Sequence, residues 1–424
     1  MTIKSMKVPA VVLSLTVFLG ACDVLDDLLT VEAPSRVVAS DLENPAAAGL
    51  LAASVANEFR CTLTYYATAS ALTGNEWRDA SNNSVLNIWD QRVHDTSGYG
   101  SQYASADCGS GQPAIYQPLS RTRWLADLTL SSLAGWDVAD VPNKAALEAE
   151  VAMYAGFTYN MFGESMCAVA FDQGPIQTPA ESFALAVARF DQSIAAGAAG
   201  NILNAARVGK ARAQLNLGQA AAAATTAGAV PAGFAFTVAY SNAEAVTRNK
   251  QWQFNIDDEN VTVAEVYRGI MTEGMPDPRI NVSDAGTANS STGIQIWATN
   301  KYPSASSPVE VASYAEAQLI VAEAAVVAGT LGTAVTIINA LHTAAGLPAY
   351  SGGVNATELM AQIVRERAAE MFLEGHHLQD LKRYNIPLFP PTGTDDGFGG
   401  AYGAQICFDL PATEFQNNPT ITGG

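Results

Sequence analysis

The sequence predicts a mainly α-helical chain built from stacked helical hairpins, and three observations carry that prediction. The first is a unit of about 34 residues, Tyr314 to Pro348, "YAEAQLIVAEAAVVAGTLGTAVTIINALHTAAGLP", which reads as helix, short Gly turn, helix, then a Gly-Leu-Pro stop. The second is a degenerate copy, "ARVGKARAQLNLGQAAAAATTAGAVP" from Ala206 to Pro231, with a Leu-Gly turn, an Ala-rich helix and a closing Pro. The third is the spacing of small residues where paired helices must approach closely: Ala322, Ala325, Ala328, Ala334 and Ala340. Hairpins of this kind bury their faces only by stacking on neighbours.

Along the chain, residues 1–21 read as a targeting signal: Lys4 and Lys7 precede an apolar run from Val8 to Leu19. "LGAC" then places small residues before Cys22, the pattern of a bacterial lipobox, with cleavage expected before Cys22 and acylation of its thiol. The apolar run is too short to remain as a membrane-spanning helix. Residues 22–40 are expected to be a lipidated tether and an extended entry strand, and 41–424 one helical domain. A helix is predicted from Asn44-Pro45 through Leu63. Further helices are predicted over 117–135, 143–164, 180–196, 201–217 and 219–229. Two stretches, about 73–113 and 233–310, are rich in Asn, Ser, Gly and aromatics and lack helical periodicity. Long irregular stretches of this sort tend to carry function.

The chain has 424 residues, 22 basic against 41 acidic, for a net charge of −19. This argues against nucleic acid and against a polybasic membrane contact. With Cys22 acylated, Cys61, Cys108, Cys167 and Cys407 remain. An even number in an exported protein points to disulfides, with three connectivities open. Cys61–Cys108 with Cys167–Cys407 is favoured, since it staples one N-terminal loop region and ties the C-terminus back. No C-x-x-C or C-x-x-H spacing supports zinc.

An ordered set of signatures fills the C-terminal third: "DPR" (Asp277–Arg279), "NKYP" (Asn300–Pro303), "YAEAQLIVAEAA", "IINALHTAAGLP", "IVRERAAEMFLEGHHLQDLKRY" (Ile363–Tyr384) and "LPATEFQNNP" (Leu410–Pro419). Together with the lipobox, "DLLTVEAPSRV" and "EAEVAMYAGFTYNMFGE", they resemble the SusD/RagB family of outer-membrane lipoproteins. His377 and His342 stand where that family often has Arg. The resemblance implies a tetratricopeptide-like helical scaffold with an irregular ligand face. It also implies a non-enzymatic, surface-exposed, lipid-anchored protein of the outer membrane. Such a protein captures oligosaccharides or peptides and passes them to a SusC-like TonB-dependent transporter. Neither a cofactor nor a metal is implied.

Three chemical readings compete with this one. The pair His376 and His377 in "EMFLEGHHLQDLKRY" offers metal-ligand chemistry, with His376 and Asp380 one turn apart. Adjacent residues diverge by about 100° on a helix, however, and Arg365, Arg367, Lys382 and Arg383 stand ready to pair the acids. Hence the segment reads as a scaffold helix. "FGESMCA" is not a nucleophile elbow, because it lacks the second Gly and a preceding strand. A glycoside hydrolase would need two carboxylates flanking a sugar; Glu76 and Asp79 are the best available pair. A scaffold that docks partners without a small ligand is the remaining alternative. The binding reading rests on loop aromatics with polar neighbours. Trp77 with Asn75, Arg78 and Asn82 leads, followed by Trp89, Tyr99 and Tyr103, with Trp297 and Trp252 in the second loop region. Trp124 and Trp136 read as core.

Overall fold

The computed structural model describes residues 43–94, 106–108 and 113–421. The signal over 1–21, Cys22, the tether over 22–40, Tyr99 and Tyr103 lie outside these residues. The architecture is mainly α-helical. Helix α1 (Ala48–Thr73) follows a 3₁₀ turn capped by the Asn44 side chain. It continues well past Leu63, where its pattern was expected to stop. Every residue from Cys61 to Thr73 is buried, so no polar face marks that half as helical. After α2 (Ser84–Gln91) come α3 (Tyr116–Gly135), α4 (Lys144–Ser165), α5 (Pro179–Ala195), α6 (Gly200–Asn216) and α7 (Ala220–Ala227). The C-terminal part supplies α8 (Tyr314–Val327), α9 (Leu331–Ala345), α10 (Ala356–Glu370), α11 (His377–Tyr384) and α12 (Ala412–Asn417).

Sequential helices pack as antiparallel neighbours: α4 on α5, α6 on α7, and α8 on α9, with α7 also against α8. Close approach depends on absent side chains. A Cβ on Gly209 would lie 2.2 Å from Cζ of Phe190, and one on Gly156 2.7 Å from its Cε1, so α4 and α6 both close over this one ring. Local chemistry starts the helices. Thr178 and Glu181 form a capping box on α5, while Ser313 and Asn355 cap α8 and α10. Trp124 departs from its expected core position and is 54% exposed. The buried face of α3 runs through Leu119, Thr122, Ala126 and Leu133, which leaves Trp124 on the opposite side.

The irregular stretches hold short antiparallel ladders. Strand β1 (Trp77–Asp79) pairs with β3 (Val261–Val263), and β2 (Ala235–Val238) with β8 (Val309–Ser313). Likewise β4 (Met271–Thr272) pairs with β5 (Met275–Pro276), and β6 (Val282–Ala288) with β7 (Gln295–Thr299). The disulfides are Cys61–Cys108 and Cys167–Cys407.

The histidine segment is not one helix. It breaks after Glu370, with Leu373 at φ 60° and Gly375 at φ 90°, and α11 starts afresh at His377. A Cβ on Gly375 would sit 2.6 Å from the Tyr66 ring, so this turn is pressed onto α1. Of the flanking bases, Arg367 pairs with Asp380 at 2.8 Å as expected, whereas Arg365 turns to Gln362 and Lys382 to the Glu164 carbonyl; the remaining acids are met from elsewhere, Glu374 by Lys301 at 2.6 Å and Glu366 and Glu370 by Arg279. His376 is buried, and His377 meets the edge of the Tyr267 ring. Burial holds both imidazoles below the ordinary histidine range, His377 at about 4.

Candidate functional site

Strand β1 leaves α1 through Gly74–Glu76 and alternates its side chains. Trp77 and Asp79 point inward, and Arg78 points to the partly exposed face. The indole of Trp77 is fully buried and donates to Oε1 of Gln251 at 3.2 Å. Trp89 is 1% exposed and packs edge-on against Phe408. Both were expected to stack on ligand; both are core, since the pairing of β1 with β3 and the packing of α2 leave neither ring open. Asn75 is also buried, and its Oδ1 accepts from Arg92. Asn82 is exposed at the turn before α2. Trp252 is partly buried and packs against the main core.

Of the expected residues, Arg78 and Trp297 come into one cluster. The Arg78 guanidinium lies 3.3 Å from Glu265 and 3.4 Å from Asp90, and stacks over the Tyr402 ring at 5.3 Å. Glu265 also faces Arg268 at 3.7 Å, and Arg268 in turn covers the partly exposed Trp297 ring at 4.9 Å. The backbone beneath is held firmly. Thr262, the register partner of Arg78, accepts from the Trp297 N–H at 2.8 Å, and Asn255 donates to the Trp297 carbonyl. On the buried side, Asp90 accepts from the Tyr402 hydroxyl and from the Asp79 N–H. Burial pushes Asp90 up to about 7, against the pull of Arg78. The patch therefore offers two guanidinium groups, a carboxylate and an indole: Arg78 and Trp297 stand on β1 and β7, and Glu265 and Arg268 on the 3₁₀ turn that follows β3.

Arg268, Glu265 and Tyr402 were not singled out from sequence. Their signal is tertiary: Glu265 lies 187 residues from Arg78. Arg92 belongs with them. It ends α2 at φ 57° and donates to the carbonyls of Phe389, Pro390 and Gly403, which latches the Tyr402 loop onto α2.

The hydrolase pair does not face a cleft. Glu76 is buried, and its Oε1 accepts from the Leu373 N–H at 2.8 Å, while Asp79 caps Ser81 from inside. Burial pushes Glu76 up to about 8. Because this folded-state value exceeds the ordinary carboxyl value of 4.5, the stability Glu76 contributes is full below that range and is lost as pH rises through about 8. Glu76→Gln is thus expected to lose less stability than the parent between pH 6 and 9 in urea titrations. An unchanged pH slope would refute this.

Two hollows lie elsewhere. One of about 600 Å³ borders Cys61–Cys108, with Arg60 and Arg121 in its wall. Another of about 660 Å³ opens beside α8 and α9. Among the described residues, no group of three or more His, Cys, Asp or Glu side chains is arranged to hold a metal ion.

Residues 235–419 match the model of the SusD family, covering the second irregular stretch, the α8–α9 hairpin and the broken histidine segment. Over those residues the chain is similar to the SusD family. Solved structures agree with the SusD-family fold over nearly the whole chain. A SusD homolog from Bacteroides thetaiotaomicron VPI-5482 superposes with a TM-score of 0.69 at 13% identity, covering 91% of this chain and 98% of its own. A SusD-like carbohydrate binding protein from Bacteroides vulgatus ATCC 8482 gives 0.67 at 15% identity, over 89% and 97%. A SusD superfamily protein from Parabacteroides distasonis ATCC 8503 gives 0.65 at 13% identity, over 88% and 98%. At such identities the likeness is one of fold. No curated protein matches the sequence.

Proposed function

We propose that this protein is a SusD-family cell-surface nutrient binder. It captures oligosaccharides on its loop-rich face and delivers them to a TonB-dependent transporter of the outer membrane. The observation that carries the binding reading is the Arg78–Glu265–Arg268–Trp297 cluster. The exposed part of an indole held by stiff strands, with Arg268 over its ring, offers apolar surface to a sugar, and the flanking guanidinium and carboxylate groups suit its hydroxyls. The name of the Bacteroides vulgatus relative, a carbohydrate binding protein, supports the ligand class. The lipobox ending at Cys22 supports a lipid anchor on the outer membrane. Consistent with anchoring rather than spanning by a helix, no helix among the described residues is long and apolar enough to cross a membrane.

The test is titration of glucan, mannan and pectin oligosaccharides, with peptides alongside, followed by calorimetry. At least one glycan is expected to bind, and Trp297→Ala and Arg78→Ala each to weaken it about ten-fold or more, equivalent to about 1.4 kcal/mol. Full affinity of Trp297→Ala for every ligand found would remove this site. Failure of every glycan and peptide would remove the capture reading and favour a helical scaffold that only docks partners. Delivery is tested separately by co-purification with a large outer-membrane barrel, and anchoring by palmitate labelling that Cys22→Ala abolishes.

A further inference from the structure

The hollow of about 660 Å³ between the α8–α9 hairpin and the end of α10 is not lined by the patch proposed for glycans. Its size falls within the range of small-molecule sites, about 300–1,000 Å³, and its walls are largely apolar, as such sites require. Ile337, Leu341, Ala340 and Ala344 of α9 line one side, and Tyr314 and Gln318 of α8 the other. One end is polar. There Arg279 is surrounded by Asp277 at 2.7 Å, Glu366 at 2.6 Å and Glu370 at 2.9 Å. Three carboxylates thus meet a single guanidinium, and Glu370 spends only its Oε1 on it. Among the described residues, neither the Tyr314 hydroxyl nor the Gln318 amide has a hydrogen-bond partner, although both line the hollow.

We infer that this hollow binds a small organic cation, a ligand with an aromatic or branched aliphatic body and one ammonium group. The body fills the space over Ile337 and Leu341. The ammonium meets the free oxygen of Glu370, with the Gln318 carbonyl as a second acceptor and the Tyr314 ring as a cation–π face. Charge sets the polarity of the guest: Arg279 in the wall is already held by Asp277, Glu366 and Glu370, and Glu366 is further met by His342 at 2.7 Å, so the group left open to the hollow is the second carboxylate oxygen of Glu370, which a cation suits and an anion does not. The net charge of −19 acts in the same direction at longer range.

The probe is 4-phenylbutylamine, with 4-phenylbutyrate as the isostere of opposite charge, each titrated into the full chain by calorimetry and thermal shift. The amine is expected to bind with a dissociation constant below about 1 mM, a fair value for a ligand of this size. The butyrate is expected to bind at least ten-fold more weakly, and Glu370→Gln to erode that preference. Because Glu370 also holds Arg279, a second variant is needed. Ala340→Trp projects a ring from an exposed position into the hollow and is expected to abolish amine binding while the fold stays intact. The inference is overturned if the amine does not bind, if amine and butyrate bind alike, or if Ala340→Trp retains full affinity. Glycan binding at Trp297 is independent of all these outcomes.

Discussion

Arg212→Ala is expected to destabilise the fold by about 3–5 kcal/mol, the usual cost of removing one partner of a buried ion pair. Arg212 is 6% exposed in the middle of α6. It holds Glu316 with two hydrogen bonds of 2.6 and 2.7 Å, and donates to the carbonyl of Val311. Through these contacts α6 is fastened to the junction where β8 becomes α8, so one hairpin is locked to the next. The same guanidinium draws down Glu164, a buried carboxylate that burial itself pushes up and that otherwise has the Tyr66 hydroxyl at 2.8 Å. Alanine would leave two carboxylates in the interior with little to balance them. The double variant Arg212→Met with Glu316→Leu removes the charge along with its partner and should recover at least about 1–2 kcal/mol of the loss. Urea denaturation of the three proteins tests this. A single variant losing under about 1 kcal/mol, or a double variant no better than the single, would mean that Arg212 acts by packing alone.

The helices were legible where one face is polar, and obscure where it is not. The α8–α9 hairpin shows its turn and its Ala spacing openly, and it forms over Tyr314–Val327 and Leu331–Ala345. The second half of α1 has no exposed face to give it a period, and α2 lay hidden in a stretch read as irregular, although Asn83 caps it in the ordinary way. The candidate site was half legible for a related reason. Asn-, Ser- and Gly-rich surroundings made Trp77 look exposed, yet its burial is decided by pairing with Val263, which no local pattern reveals. Alternation along β1 then sends Arg78 outward, and its partners come from Glu265 and Tyr402, far along the chain. The histidine pair shows the converse. Rarity made it look chemical, but Arg367, Asp380 and the turn at Gly375 make it a corner where α10 gives way to α11 and the turn presses onto α1.

Replacing Cys167 and Cys407 together with serine is expected to cost about 5–6 kcal/mol, more than the equivalent change at Cys61 and Cys108. Both bonds restrict the unfolded chain, and the restriction grows with the logarithm of the loop closed. The separations are 240 and 47 residues, so the difference between the two should be about 1.5 kcal/mol. The longer bond also has a functional consequence. Beside it the chain crosses back, with the Cys167 N–H donating to the Phe408 carbonyl and the Phe408 N–H to the Ser165 carbonyl, each at 2.8 Å. The Phe408 ring stacks on His94 at 4.2 Å and meets the edge of Trp89, which anchors the C-terminal segment to α2 and the residues just after it. Tyr402 lies a few residues upstream on the same segment, where it supports Arg78 through Asp90. Loosening Cys167–Cys407 should therefore weaken ligand binding at the Arg78–Trp297 cluster several-fold even under conditions where the protein remains folded. Loss of Cys61–Cys108, which closes α1 onto a different loop, should leave that affinity nearly unchanged. Denaturation and calorimetry on the two serine pairs separate these effects. A larger stability loss at Cys61–Cys108, or equal changes in affinity, would contradict the assignment of the C-terminal segment as the support of the binding face.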